Sequence, residues 1–321
     1  MLKILEKHQY LFEAPQNFKV PMGRFLVSPY GQAAGMDKNA VALAAFLKVF
    51  GWGVFGTVSR YPREGNPKTR MGADIRRRVT YNSLGYNNDG VDIVNERVKA
   101  YKERDSRRED VPIIESIGPI PEVGNVNKAL EETEYMVGVS APHVDGFEEN
   151  LSTPNTETVP LLRTPEYVKE SLRIMYDIAP DHLKFFKLWP YEQEDSENRE
   201  LVLSLARTAY ENGANGVVLV NTLPVEHNYN PKDLNSKPKR AGKGGQDLIP
   251  YMLRGVSDVR HEILDENFLI IACGGIGDGP TALSALHAGA DMFAGFSPVS
   301  FDGFSVIPRS YSFIASYLAE R

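Results

Sequence analysis

The chain has 321 residues, 42% of them hydrophobic and 24% charged, the balance of a folded globular protein. A net charge of −6 argues against a nucleic-acid protein, whose affinity would rest on a basic face. The single cysteine, Cys273, excludes internal disulfides and cysteine-based zinc or iron–sulfur sites, and no run approaches the roughly 18 apolar residues of a membrane span.

In chain order, the opening MLKILEKHQYLFEAPQNFK (1–19) places charges inside an apolar stretch and lacks a small-residue cleavage site. It reads as a short amphipathic helix packed on the body of the protein rather than a secretory signal or a membrane-touching segment. Eight short β-rich runs follow: GQAAG (31–35), GVFGTV (53–58), PIIESI (112–117), DGFEENL (145–151), LKFFKL (183–188), GVVLVN (216–221), FLIIAC (268–273) and DMFAGF (291–296). Helical patterns lie between most of them. In SENRELVLSLARTAYENG (196–213) apolar residues recur at three and four, and Asn212-Gly213 supplies a stop. GPTALSALHAGA (279–290) opens on Gly-Pro and closes at Gly289.

Strands alternating with helices imply parallel βαβ units, and eight of them predict an α/β fold of the (βα)8, or TIM-barrel, type. A doubly wound sheet is the rival, but GGIGDG (274–279) has the wrong glycine spacing for a dinucleotide fingerprint and sits late in the chain. No linker rich in Pro, Gly or Ser divides the chain. Residues 1–321 are therefore expected to form a single domain, with 1–30 a short N-terminal extension and bottom cap. Two excursions, 59–110 and 223–250, are expected to be long loops on the C-terminal face.

In such a barrel the chemistry sits at the C-terminal ends of the strands. Those ends carry Asp37-Lys38, Thr57, Ser116, Asn150 with Thr153, Lys187, Asn221-Thr222, Gly274-Gly275 and Phe296-Ser297. Lys187 is the informative one: within the apolar run KFFKLWP a lysine is costly to bury unless it meets an anion or an acceptor, the alternative being a strand-end lysine that reaches solvent. The glycine-rich turn CGGIGDGPTAL after the seventh strand and GFSPVSFDG after the eighth point to a phosphate held between the two loops. Cys273 reads as a small buried hydrophobe. The six histidines show no metal spacing, so no metal site is expected, and His227 and the basic KDLNSKPKRAGKGG (232–245) read as surface-loop features.

The segments AAGMDKN (33–39), GTVSRYPREGNPKTRM (56–71), NSLGYNNDG (82–90), NLSTPNT (150–156), KLWP (187–190), NT (221–222), GGI (274–276) and AGADMFAGFS (288–297) resemble dihydroorotate dehydrogenase, in that family's order, and look closest to its quinone-linked class. The resemblance implies a barrel that holds FMN at its top and oxidises dihydroorotate to orotate in pyrimidine biosynthesis.

By the same resemblance, Ala34, Gly35, Lys38, Thr57, Ser116, Asn150 and Lys187 would line the flavin, and Gly245, Gly274, Gly275, Phe296 and Ser297 would hold its phosphate end. Lys187 would stabilise the reduced flavin electrostatically. Substrate would be gripped by Lys38, Asn82, Asn150, Asn155, Asn221 and Thr222 beside Leu84, Gly85 and Tyr86, since each amide offers both a donor and an acceptor. Thr153 would be the catalytic base, removing a proton while hydride passes to flavin N5. The family normally has serine or cysteine there, and threonine keeps the oxygen but adds a methyl that restricts χ1.

Other departures are Ser116 in place of an asparagine, Glu148 and Glu149 in a mostly apolar strand, and Pro298 after Ser297 in place of a glycine. They keep two alternatives open: a related FMN oxidoreductase on another cyclic amide or unsaturated acid, and a non-catalytic FMN-binding barrel. The electron acceptor is left open among quinone, fumarate and NAD through a partner subunit, because about 19 residues before Val20 look short for the quinone-linked class's N-terminal helix pair. The remaining expectations are a homodimer as one assembly, no nucleic-acid partner, and a cytoplasmic protein for which membrane contact is not favoured.

Overall fold

Eight apolar runs long enough for one pass through a sheet and joined by amphipathic helices have one economical solution, a parallel sheet closed on itself. The computed structural model describes residues 7–104, 108–120, 125–153, 159–229 and 239–320. Strands β1 (Val20–Met22) and β2 (Phe25–Val27) form an antiparallel hairpin. The barrel is built from β3 (Tyr30–Gln32), β4 (Gly53–Val58), β7 (Ile113–Ile117), β8 (Gly146–Asn150), β9 (Leu183–Lys187), β10 (Gly216–Leu219), β13 (Leu269–Cys273) and β14 (Met292–Gly295). These are the eight strands expected: β4 has the expected bounds, β3 starts one residue earlier and ends three earlier, and the other six are one or two residues shorter where the apolar runs overshoot the ladder. They pair in parallel in the order β3-β14-β13-β10-β9-β8-β7-β4. The remaining seam between β3 and β4 is bridged by Gly51 N–H to the Tyr30 carbonyl (3.0 Å) and Gln32 N–H to the Trp52 carbonyl (3.1 Å).

Side chains alternate across the wall. Val54, Ile114, Phe185, Val218, Ile271 and Met292 fill the barrel interior together with Met22 and Val27 of the hairpin. Their neighbours Phe55, Ile113 and Phe147 pack outward under one group of helices, and Phe186, Val217, Ile270 and Phe293 under the other. Helix starts are set by local chemistry: Thr164 caps Pro165–Ile178, Asp195 caps Ser196–Glu211, and Asp278 with Thr281 forms a capping box on Gly279–His287.

The two excursions depart from the expectation of plain loops. Residues 59–110 contribute β5 (Met71–Asp74) and β6 (Val79–Asn82), and 223–250 contribute β11 (Leu223–His227) and β12 (Lys239–Gly245). They join as one antiparallel sheet in the order β11-β12-β6-β5, with Asn82 opposite Gly242 and Val79 opposite Gly245.

Candidate functional site

The register of β8 on β9 places Asn150 beside Lys187, so an amide and an ammonium leave the barrel on the same inward face. From Asn150 a chain of polar side chains runs around the rim. Its Nδ2 donates to Thr57 Oγ1 (2.9 Å), which lies 3.0 Å from Ser116 Oγ. Its Oδ1 accepts from the Ser152 backbone N–H (3.1 Å) and hydroxyl (2.6 Å). Asn221 Nδ2 donates to Ser152 Oγ (2.7 Å), and Asn221 Oδ1 accepts the Thr222 N–H (2.8 Å). The chain fixes both amides, and each NH2 keeps a second proton for a ligand.

Thr57, Asn150, Lys187, Asn221 and Thr222 open into one cavity of about 1070 Å³ including its mouth, roofed by the excursion sheet through Met71, Thr80, Tyr81 and Asn82. Asn82 Nδ2 donates to the Gly242 carbonyl (3.3 Å), and Tyr81 is stacked on His227 with centroids 3.7 Å apart and planes at 5°. Lys187 is 4% exposed. Burial opposes its charge, but Cys273 and Glu148 outweigh burial and raise its pKa; Glu148, buried within the barrel, is the counter-charge. Burial pushes the Cys273 thiol up in turn, while the Lys187 ammonium pulls it down. Lys38 is pulled down to about 8 by burial and then by Arg70.

The far end of the cavity is glycine-lined. A Cβ on Gly35 would meet only the Phe296 ring, at 3.8 Å, so the space above it is open. Gly275 has φ +77, and a Cβ there would lie 2.6 Å from Ile249 Cγ1 and 2.8 Å from the Gly245 carbonyl, so only glycine lets that turn run along the cavity wall. Ser297 Oγ lies 2.7 Å from Thr80 Oγ1. A shelf of open backbone at one end, a buried cation and hydroxyls along the wall, and fixed amides at the rim together fit a flat heteroaromatic cofactor ending in a phosphate.

Residues 19–318 match the family model for dihydroorotate dehydrogenase. The chain belongs to the dihydroorotate dehydrogenase family. It is 29% identical over 289 residues to the dihydroorotate dehydrogenase (quinone) of Nautilia profundicola, covering 87% of this chain and 73% of that one. It is 29% identical over 299 residues to the dihydroorotate dehydrogenase (quinone) of Delftia acidovorans, covering 89% and 82%. The structure of the Eimeria tenella dihydroorotate dehydrogenase in complex with ferulenol superposes with a TM-score of 0.82 at 22% identity, covering 99% of this chain and 91% of that one. Members of the dihydroorotate dehydrogenase family are oxidoreductases acting on CH–CH donors, and this chain shares their barrel.

Of the predicted site residues, Ala34, Gly35, Lys38, Thr57, Asn82, Leu84, Gly85, Tyr86, Asn150, Thr153, Lys187, Asn221, Thr222, Gly245, Gly274, Gly275, Phe296 and Ser297 all line the cavity. Ser116 does not: it is fully buried behind Thr57 and supports that residue from within the barrel. Asn155 lies outside the described residues. Asp37 turns away and accepts from the Val41 (2.9 Å) and Ala42 (2.8 Å) N–H groups.

Three contributors escaped the sequence reading. Ser152 ties Asn150 to Asn221, a role the i, i+2 spacing from Asn150 in an extended segment makes readable. Cys273, expected to be only a buried apolar residue, lines the cavity beside Lys187. Tyr81 reaches the site through a sheet that no local pattern predicts.

Proposed function

We propose that this chain oxidises dihydroorotate to orotate in an FMN-dependent reaction of pyrimidine biosynthesis. The convergence of Lys187, Thr153 and the asparagine amides on one cavity beside a glycine shelf carries the reading. FMN, when bound, supplies the two-electron acceptor that no side chain here provides. Ala34, Gly35, Lys38, Thr57, Asn150 and Lys187 would hold its ring, and Gly245, Gly274, Gly275, Phe296 and Ser297 its phosphate end. Lys187 keeps a fixed positive charge in a water-poor wall, where it stabilises developing negative charge far more than in water.

Asn82, Asn150, Asn221 and Thr222 would orient the planar substrate through paired donors and acceptors, with Asn155, Leu84, Gly85 and Tyr86 alongside, and Lys38 would meet its carboxylate. Thr153 takes the proton from the substrate carbon, its χ1 restricted by the extra methyl so that the hydroxyl is held ready. The names of the curated relatives support a quinone as the electron acceptor. No helix among the described residues is long and apolar enough to cross a membrane; a cytoplasmic location is part of the proposal. The methyl of Thr153 favours one second reading, a related FMN oxidoreductase acting on another cyclic amide.

Anaerobic mixing of the flavin-loaded protein with dihydroorotate tests the proposal. Rapid bleaching of the oxidised-flavin band is expected. A yellow protein that dihydroorotate leaves yellow overturns the proposal, and bleaching by another cyclic amide then separates the second reading from a non-catalytic FMN-binding barrel.

A further inference from the structure

We propose that the Tyr86 hydroxyl is the second member of a proton relay, taking the hydroxyl proton of Thr153 as Thr153 removes a proton from the substrate carbon. The inference rests on the base role proposed for Thr153. Tyr86 is 4% exposed and lines the same cavity as Thr153. Its hydroxyl has no hydrogen-bond partner among the described residues, although a buried tyrosine normally finds one. Its backbone has φ +58, a left-handed conformation that a bulky residue adopts only at a cost.

The ring is nevertheless firmly held. Ile120 and Val159 pack on it, and Gly118 leaves the space that its edge fills: a Cβ on Gly118 would lie 2.6 Å from Tyr86 Cε1 and 2.8 Å from Thr57 Cγ2. Phenylalanine would make the same packing without an orphaned hydroxyl. The oxygen therefore adds no packing contact of its own, and it stands on the wall of the cavity that Thr153 also lines.

The charges around the phenol suit a relay. Burial raises its pKa, so it is neutral at rest; the Thr153 hydroxyl is the strongest influence in the other direction, followed by the Arg163 guanidinium, with Arg63 acting the same way and Glu149 opposing. Arg163 is anchored by Nε donating to the Leu151 carbonyl (2.9 Å) and by its guanidinium 3.9 Å from the Trp189 ring centroid. A fixed cation near the phenol stabilises the phenolate character that its oxygen gains as its own proton leaves to water, which readies that oxygen to accept the Thr153 proton.

The balance is as follows. The substrate C–H bond breaks and its proton goes to Thr153 Oγ. The Thr153 O–H proton goes to Tyr86 Oη, and the Tyr86 proton leaves to water in the cavity. The pair left by that C–H bond forms the new C=C bond as the neighbouring C–H bond breaks, whose hydrogen leaves with its own electron pair as hydride; bound FMN would be its acceptor. One proton is released to solvent, and both side chains end as they began.

The test compares Tyr86→Phe, Thr153→Ala and the parent, all flavin-loaded, for anaerobic bleaching by dihydroorotate across pH in H2O and D2O, with the melting temperature and flavin content of each. The expected Tyr86→Phe protein melts no lower than the parent and holds the same flavin. It bleaches about 10-fold or more slowly, with a changed pH profile and a reduced solvent isotope effect. Parent-like bleaching of Tyr86→Phe alongside slow Thr153→Ala overturns the relay and leaves the base assignment standing. Parent-like bleaching of both variants removes the base assignment, and the relay with it. A slow Tyr86→Phe that also melts lower or loses flavin shows the hydroxyl to be structural and likewise overturns the relay.

Discussion

Strands β8 and β9 carry an acid and a lysine on each face of the barrel wall, and the two faces treat them differently. On the outer face, Glu149 accepts from Tyr167 and Ser171 of the helix Pro165–Ile178. Lys184 donates to the carbonyls of Ala179 (2.9 Å), Pro180 (3.1 Å) and His182 (2.8 Å) and sits 3.9 Å from the Tyr176 ring centroid. On the inner face, Glu148 keeps one oxygen, Oε1, without a partner among the described residues, and Lys187 opens on the cavity. Both pairs are buried. A buried charge that serves the fold is saturated by fixed partners, because leaving it bare is costly. A buried charge that serves a ligand has to keep bonding capacity in reserve.

The largest effect expected from this contrast is on the inner face. Lys187→Ala removes the fixed cation and should slow flavin bleaching by dihydroorotate by about 10²–10³-fold; unchanged bleaching would break the comparison. Glu148→Gln takes the counter-charge from Lys187, and a reduction potential of the bound flavin equal to that of the parent would remove Glu148 from the electrostatics. The expected result is a measurable shift with bleaching about 10-fold slower, since one pKa unit or one decade corresponds to about 1.4 kcal/mol.

On the outer face the order reverses. Lys184→Met orphans three carbonyls and should cost about 1–3 kcal/mol in denaturant titration, with bleaching at the parent rate.

The smallest effect is on pH dependence. Burial raises Glu149 to about 7 against the opposing hydroxyls of Ser171 and Tyr167. A carboxyl raised in the fold binds its proton more tightly folded than unfolded, so stability is full at acid pH and is lost as pH rises from its ordinary 4.5 through about 7. Thermal melts from pH 4 upward should show this slope in the parent and a flatter one in Glu149→Gln. Equal slopes would place the titration elsewhere, with Glu115 the next group to replace: burial raises it to about 8.

Much of the inner face was legible before any tertiary structure. Lys187 stands out because a charge at an inward position of an apolar strand has few explanations, and the polar residues at strand ends follow from the direction in which a βαβ barrel presents its loops. The outer face was misleading in the same sequence: Lys184 and Glu149 are the same residue types in the same strands, and only alternation separates them from Lys187 and Glu148. Ser116 was expected on the cofactor wall from the family resemblance, but β7 places it behind Thr57.

The sequence by itself determined what depends on neighbours along the chain. Strand and helix alternation, the capping residues Thr164, Asp195 and Asp278, the glycine turn at 274–275 and the site-bearing strand ends all rest on periods of two or 3.6 and on single-residue backbone preferences. Tertiary structure alone decided which distant backbones meet. It set Asn150 beside Lys187, bridged β3 to β4, and paired Asn82 with Gly242, 160 residues apart, to roof the cavity. Sheet hydrogen bonds use only N–H and C=O groups, which are the same in almost every residue, so the pairing of remote strands is written in the closure of the whole barrel rather than in any local stretch.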